Sequence, residues 1–303
     1  MAEQTASAGH QLGQLVGDWM EQFVTLPLLQ EVANRLRLYL DHGQRQRTCR
    51  DGKVIWNDED GNTVAYDFVM ELDGSDDCRG IPIAFFETFW RRGKRHSKDK
   101  ARDDSGKLMP MRELHPTARF LGMIASGDFT NPAVQLVASR GIDLFLIPKA
   151  KIITAFGEHG VTIDYPDKFP EPDKAALVEK FRETMVDSLR TRIANRLRGL
   201  IGEANLLAYV DRVRSAMGAL PQEFRIAARK TASPMAFETV DSVTKFLENP
   251  LFSFDGEASD DYVYQITYSD GATFERSVAT IETLRTLHGQ MERLVRHVEA
   301  IIK

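Results

Sequence analysis

A run of ten residues, IPIAFFETFW, constrains the fold of this chain more than any other feature. It is apolar and aromatic apart from Glu87 and Thr88, and it is long enough for a strand in the centre of a sheet. No apolar run approaches the roughly 18 to 20 residues that a membrane-spanning helix needs. We therefore predict a soluble protein in which a buried strand carries a carboxylate.

The segments around this run alternate between strand-like and helical patterns. Before it, VIWNDEDGNTVAYDFVMEL holds an Asp-Gly turn between two strand-like runs, which indicates a hairpin. After it, the strand-like RFLGMIASGDF and IDLFLIP are each followed by a short helical segment, PAVQLVASRG and KAKIITAFGEHG. Residues 10–42 have helical periodicity, with Pro27 between two helices. This order predicts an α/β fold.

The pattern changes after the Pro- and Asp-rich segment TIDYPDKFPEP. Apolar residues at steps of four predict a long helix over 173–201, followed by a second helix near 204–217. A hairpin around Asp270-Gly271 and a final helix from about residue 279 complete the chain. We predict two domains, 1–168 and 169–303. The apolar stripe of the final helix suits either packing on its own domain or a homodimer contact.

Composition excludes several classes of protein. With 39 Lys and Arg against 44 Asp and Glu, the net charge of −5 excludes a protein that is basic overall, although it allows a local basic site. Two cysteines, Cys49 and Cys78, are too few for a disulfide scaffold or a structural zinc site. The opening residues lack the pattern of a secretory signal. These features predict a reduced, cytoplasmic protein without a membrane segment.

Two carboxylates occupy successive strand-like runs. Asp67 and Glu87 lie 20 residues apart, and a turn near residues 75–79 would bring them side by side on antiparallel strands. Carboxylate oxygens are the ligands that Mg²⁺ prefers. A dense basic stretch follows Glu87 and predicts a surface that contacts phosphates. Its members are Arg91, Arg92, Lys94, Arg95, His96, Lys98, Lys100 and Arg102.

Asp67, Glu87 and the segment 119–164 together resemble the PD-(D/E)XK nuclease superfamily, which includes many restriction endonucleases. The resemblance covers roughly residues 30–166 and implies a mixed central sheet flanked by helices. Phe89 stands where the superfamily has its lysine, and the superfamily is known to relocate that residue, so Lys98 or Lys100 is expected to replace it. Members often add an acid from the first helix, here Glu31.

The resemblance implies a metal-dependent DNA endonuclease in restriction or phage defence. Asp67, Glu87 and Glu31 would hold Mg²⁺, for which Mn²⁺ can substitute, and a lysine would orient the attacking water. The α+β C-terminal region would then bind DNA or form a homodimer through the final helix. The alternative is a non-catalytic nucleic-acid-binding or regulatory subunit on a degenerate nuclease fold, which the absence of a lysine at position 89 favours.

Overall fold

The computed structural model describes residues 6–58, 61–94, 97–228, 234–248 and 262–302. Over these residues the chain has the mixed α/β architecture that the sequence predicts. Two compact units divide the chain. Unit 1 comprises Met1–Val32, Phe86–Ser105 and Gly122–Asp211, and unit 2 comprises Ala33–Phe85, Gly106–Leu121 and Arg212–Lys303.

The N-terminal helices are joined without a break. Helix α1 (Ala8–Met20) continues through a π-helical turn (Glu21–Thr25) into α2 (Leu26–Arg35). The π turn stands directly before Pro27, which lacks the N–H that an ordinary helical turn requires. The predicted interruption at Pro27 is therefore a local widening of one helix. Arg37, with a φ of 52°, then ends the helical region.

The central sheet has five strands in the order β1-β4-β5-β6-β7, and β2 and β3 form a separate hairpin. The strands are β1 (Tyr39–His42), β2 (Val54–Asn57), β3 (Thr63–Tyr66), β4 (Phe68–Leu72), β5 (Ile81–Arg91), β6 (Phe120–Gly127) and β7 (Asp143–Pro148). Strands β1 and β4 are antiparallel, whereas β6 and β7 are parallel. These strands confirm the sequence prediction except at β1, which the helical periodicity of residues 10–42 wrongly included.

Helices follow the strands β5, β6 and β7 as predicted. They are α3 (Ser97–Leu114), α4 (Asn131–Ser139) and α5 (Lys149–Gly157). The hydroxyl of Thr130 caps α4 by accepting a hydrogen bond from the N–H of Ala133. At the end of β6, Gly127 has a φ of 114°, and a Cβ there would lie 1.8 Å from the carbonyl oxygen of Arg91. Only glycine fits this position.

The predicted long helix over 173–201 is two helices, α6 (Glu171–Thr184) and α7 (Asp187–Ile201), followed by α8 (Glu203–Gly218). A strict step of four residues advances about 40° beyond a full turn at 3.6 residues per turn. Such a stripe cannot stay on one face of a straight helix for long. The break after Thr184 resets the helix direction, so that Phe181, Met185 and Ile193 are all buried.

The C-terminal residues of unit 2 form a four-stranded sheet in the order β11-β10-β8-β9, which packs with two helices. The elements are β8 (Pro221–Ala228), β9 (Met235–Phe237), α9 (Val240–Glu248), β10 (Tyr262–Tyr268), β11 (Thr273–Val278) and α10 (Ile281–Ile302). The hairpin β10–β11 and helix α10 confirm the prediction. The apolar stripe of α10, including Leu284, Met291 and Val298, is buried within the unit. Its own sheet thus occupies the face that was considered for a homodimer.

The two units do not follow the predicted division at residue 168. In unit 1, α6 packs on α1 and α7 packs on α5. In unit 2, the His297 ring on α10 lies 2.8 Å from the carbonyl oxygen of Leu36, the residue that follows α2. Helices on both sides of residue 168 thus cover each other's apolar faces. Within the residues that the structure describes, no helix is long and apolar enough to cross a bilayer.

Candidate functional site

Strand β5 carries the predicted carboxylate into the interior. The carboxylate-bearing residue Glu87 is 1% exposed and sits among buried apolar neighbours in the strand. Phe89 follows two residues later, and side chains two positions apart lie on the same face of a strand. Phe89 is itself 8% exposed. The strand therefore presents Glu87 and the aromatic ring of Phe89 on one face.

Helix α3 brings a lysine back to that face. The Lys100 ammonium lies 5.5 Å from the centre of the Phe89 ring, within the distance of a cation–π contact. It also forms an ion pair of 2.6 Å with Asp104, one turn further along the helix. Lys98 is exposed, because residues 98 and 100 differ by about 200° around the helix axis. Of the two lysines that the sequence suggested, only Lys100 contacts the strand.

Asp104 was missed by the sequence analysis. Its side chain is 1% exposed, and its carboxylate accepts the hydrogen bond of the Lys100 ammonium. The Lys-x-x-x-Asp spacing is a signal that could have identified it, since residues four apart are neighbours on a helix. Because a buried carboxylate restrains the ammonium, Lys100 is held in one position beside Phe89.

The other two predicted metal ligands have different surroundings. Asp67 is half-buried in the bend between β3 and β4, in unit 2, whereas Glu87 belongs to unit 1. Glu31, on α2, accepts a hydrogen bond of 3.0 Å from the guanidinium of Arg198. Across the described ranges, no group of three or more His, Cys, Asp or Glu side chains is arranged to hold a metal ion.

An open groove of about 690 Å³ lies at the carboxyl end of β5 in unit 1. One wall is formed by α1 and the other by the end of β5 and the residues after it. Its lining includes Gly9, His10, Gly13, Gln14, Phe89, Trp90, Arg91, Arg92, Lys94, Lys100 and Asp167. Four of these side chains are Lys or Arg and one is acidic, so the groove is positively charged. Part of the basic stretch that is predicted to contact phosphates therefore lies in this groove.

Arg92 is the most constrained cation of the groove. Its guanidinium donates to the Tyr165 carbonyl oxygen at 2.7 Å and to Asp167 at 3.0 Å, and it stacks 4.1 Å from the centre of the Tyr165 ring. Burial alone would lower the pKa of Arg92, but the hydrogen bond with Asp167 and the charges of Tyr165 and Asp164 raise it above its usual value. Arg92 therefore fixes the segment after α5 to the end of β5.

A second cation supports the same segment. The Lys149 ammonium, at the start of α5, lies 2.8 Å from Asp164 and 3.9 Å from Asp128, which follows β6. Arg92 also approaches Asp164, at 3.5 Å. The sequence offered no signal for this network, because its members come from separate segments of the chain.

Some of the remaining members of the basic stretch line the groove, and others lie elsewhere. Arg91 and Lys94 line the groove, and no ion pair among the described residues involves either of them. Arg102 is exposed on α3 and pairs with Asp103 at 3.3 Å and with Asp99 at 3.7 Å, away from the groove lining. Arg95 and His96 lie outside the described residues. Of the predicted basic stretch, Arg91, Arg92, Lys94 and Lys100 thus line the groove.

Unit 2 holds a buried charge network around β1 and β4. The Arg47 side chain is fully buried and donates to Asp41 at 2.7 Å and to both carboxylate oxygens of Glu71, at 2.8 and 3.0 Å. Glu71 also accepts from the N–H of Gly80 at 2.7 Å, and Asp41 pairs with Arg50 at 2.7 Å. Glu71 is thus bound by an arginine in a structural role.

Comparison of the chain with protein-family models, curated proteins and solved structures found no match.

Proposed function

We propose that the protein is a metal-dependent endonuclease that hydrolyses phosphodiester bonds in DNA. The observation that carries the proposal is the contact between Lys100 and Phe89, at 5.5 Å. Phe89 occupies the position of the motif lysine in the nuclease pattern, and Lys100 returns a positive charge to that position from the following helix. Hydrolysis requires positive charge beside the attacked phosphate, and a preorganised ammonium supplies it without further rearrangement.

The proposal assigns Asp67 and Glu87 as the metal ligands on the strength of the sequence pattern. Mg²⁺ is commonly held by one or two carboxylates together with water and substrate phosphates, so a set of three protein ligands is not required. When bound, such an ion activates water and neutralises charge on the phosphate. Asp104 would act as a positioning residue, since its carboxylate fixes the Lys100 ammonium at 2.6 Å.

The groove beside these residues supports the choice of substrate. Arg91 and Lys94 line a groove that also includes Lys100, and clustered cations favour binding to nucleic acid through counterion release. A role in restriction or phage defence follows from the resemblance alone, and a cytoplasmic location follows from the composition of the chain.

A second candidate function is a non-catalytic nucleic-acid-binding or regulatory subunit. The observation that favours it is the same ion pair: Asp104 neutralises much of the Lys100 charge that catalysis would use. In this reading Glu87 is a buried structural carboxylate, and the groove binds nucleic acid without cutting it.

Supercoiled plasmid separates the two candidates. The protein is incubated with Mg²⁺ or Mn²⁺, beside Asp67→Asn and Glu87→Gln variants and a Glu179→Gln control, which alters an exposed glutamate on α6. The endonuclease proposal expects nicking or linearisation by the native protein and the control only. Binding without cleavage under either metal would favour the non-catalytic subunit.

A further inference from the structure

The groove at the carboxyl end of β5 is open at one glycine of its α1 wall. His10 and Gln14 also line this wall with their side chains. The space at Gly9 is filled by the Tyr165 hydroxyl, 2.7 Å from where a Cβ would lie. Gly9 and Gly13 lie one turn apart on α1 and both line the groove. A Cβ placed on Gly13 would meet no atom within 4 Å, so the space in front of the helix at this point is open. A ligand can therefore approach the α1 backbone closely, as is typical where glycine faces a binding site.

The opposite wall carries two cations, Arg91 and Lys94, that pair with no described carboxylate. The Nε of Arg91 is buried and has no hydrogen-bond partner among the described residues. Lys94 is exposed nearby and forms no ion pair with any residue that the structure describes. The single acidic member of the lining, Asp167, is held by Arg92 at 3.0 Å. The wall is thus suited to an anion with several oxygens, because Arg91 and Lys94 leave positive charge in the groove for such a ligand to neutralise.

The size of the groove limits the kind of anion. A volume of about 690 Å³ lies within the range of about 300–1,000 Å³ that is typical of pockets for small molecules. A B-DNA duplex, whose major groove alone is roughly 12 Å wide, is too large to enter a pocket of this kind. Phe89 and Trp90 add only a small apolar contribution to the lining, because they are 8% and 9% exposed. One strand of nucleic acid fits these dimensions and this chemistry.

We infer that the groove between α1 and the end of β5 binds a single strand of nucleic acid, with its phosphates between Gly13 of α1 and the cations Arg91 and Lys94. The inference rests on the proposed function for the chemical class of its ligand. It goes further in naming the strandedness of the substrate and the surface that holds it.

Fluorescence anisotropy with EDTA tests binding separately from cleavage. The probe is a labelled DNA strand of about 20 nucleotides, longer than the roughly 4 to 16 nucleotides that strand-binding folds cover, and the same strand annealed to its complement. We expect the native protein to bind the single strand more tightly than the duplex. We also expect the affinity for the strand to fall steeply as salt rises.

Three substitutions locate the binding to the groove. Gly13→Glu should weaken binding of the strand by about tenfold or more, because it places a negative charge beside the phosphates. Gly13→Gln separates the effect of charge from that of size and should weaken binding less. Gly289→Glu, at a half-exposed helical glycine of α10 whose Cβ would also meet nothing within 4 Å, should change binding less than about twofold.

Folding is checked for each variant by circular dichroism. Gly289→Ala provides a folded reference that should bind normally, since its methyl group has room and alanine favours a helix. Equal effects of Gly13→Glu and Gly289→Glu, or tighter binding of the duplex than of the strand, would overturn the inference. Strand binding that responds as expected, together with no cleavage under any metal, would instead remove the endonuclease proposal and leave the groove assignment intact.

Discussion

Replacing Arg47 by methionine is the perturbation whose effect on stability the structure defines best. The guanidinium is fully buried, and it also donates to the carbonyl oxygens of Ser75 at 3.0 Å and Cys78 at 2.6 Å. Its removal leaves the carboxylates of Asp41 and Glu71 in the interior of unit 2 without this partner. The variant Arg47→Met therefore tests whether the network holds β1 and β4 together.

The loss of Arg47 would affect the two carboxylates to different degrees. Asp41 keeps Arg50, which donates to both of its oxygens at 2.7 to 3.2 Å. Glu71 loses both bonds of its paired guanidinium and keeps the N–H of Gly80. Breaking a buried ion pair from one side costs about 3–5 kcal/mol, because a charge is left uncompensated. We assign most of that cost to Glu71.

A double substitution isolates this cause. Arg47→Met combined with Glu71→Met removes the uncompensated charge, and an apolar replacement of a buried pair is often nearly neutral. We expect the single variant to lower the free energy of unfolding by about 3–5 kcal/mol, and the double variant by about 2 kcal/mol or less. Urea unfolding followed by circular dichroism measures both values.

Arg102→Met is the matched control. Arg102 is exposed and its partners are also exposed, so its loss should change the free energy of unfolding by no more than about 0.5 kcal/mol. A double variant that is less stable than Arg47→Met alone would refute the reasoning. It would mean that the side chain of Glu71 stabilises the unit by contacts other than those with Arg47.

Three further predictions follow from single sites. Lys100→Met should lower the rate of single-turnover cleavage by about 10²-fold or more, whereas Lys98→Met should leave it near normal. Equal cleavage rates for the two variants would exclude Lys100 from the chemistry. Gly127→Ala should destabilise the fold by more than about 3 kcal/mol, because the Cβ would meet the Arg91 carbonyl, whereas Gly157→Ala should be tolerated; thermal melts compare the two. Burial lowers the pKa of His288 to about 4, from an ordinary 6.5. The unfolded chain therefore takes up this proton first, and the free energy of unfolding should fall by up to about 3 kcal/mol as the pH drops from 6.5 to 4, a slope that His288→Gln should reduce.

The strands of the central sheet were largely predictable because their local patterns are strong. The run 81–90 is apolar apart from Glu87 and Thr88, and β5 covers it with one further residue. The turn glycines also carried local information, as in the hairpin at Asp270-Gly271, where Gly271 has a φ of 81°. Such signals need no knowledge of distant contacts.

The errors arose where distant contacts decide the structure. Residues 39–42 continue the apolar spacing of α2, yet they form β1 because they pair with β4, with Tyr39 opposite Glu71. The division at residue 168 likewise depends on which helix faces meet. A periodic pattern shows that a helix has an apolar face, but it does not identify the partner of that face.

In the candidate site, too, the features that depend on local sequence were predictable and those that depend on distant packing were not. Glu87 was recognisable because a carboxylate in an apolar strand is unusual and costly to bury. The choice between Lys98 and Lys100 was open, since it depends on the position of α3 against β5. The open α1 wall at Gly13 was not predictable either, because a glycine in a helix does not reveal whether its surroundings are filled or empty.

Single-turnover cleavage by the native protein and Glu87→Gln tests the central claim most directly. Enzyme is in excess over a labelled plasmid, with Mg²⁺ added to start the reaction, and binding is measured in parallel without metal. We predict that the native protein cleaves, and that Glu87→Gln binds DNA within several-fold of normal but does not cleave, because a metal ligand acts on the chemical step. Cleavage at the native rate by Glu87→Gln would contradict the account.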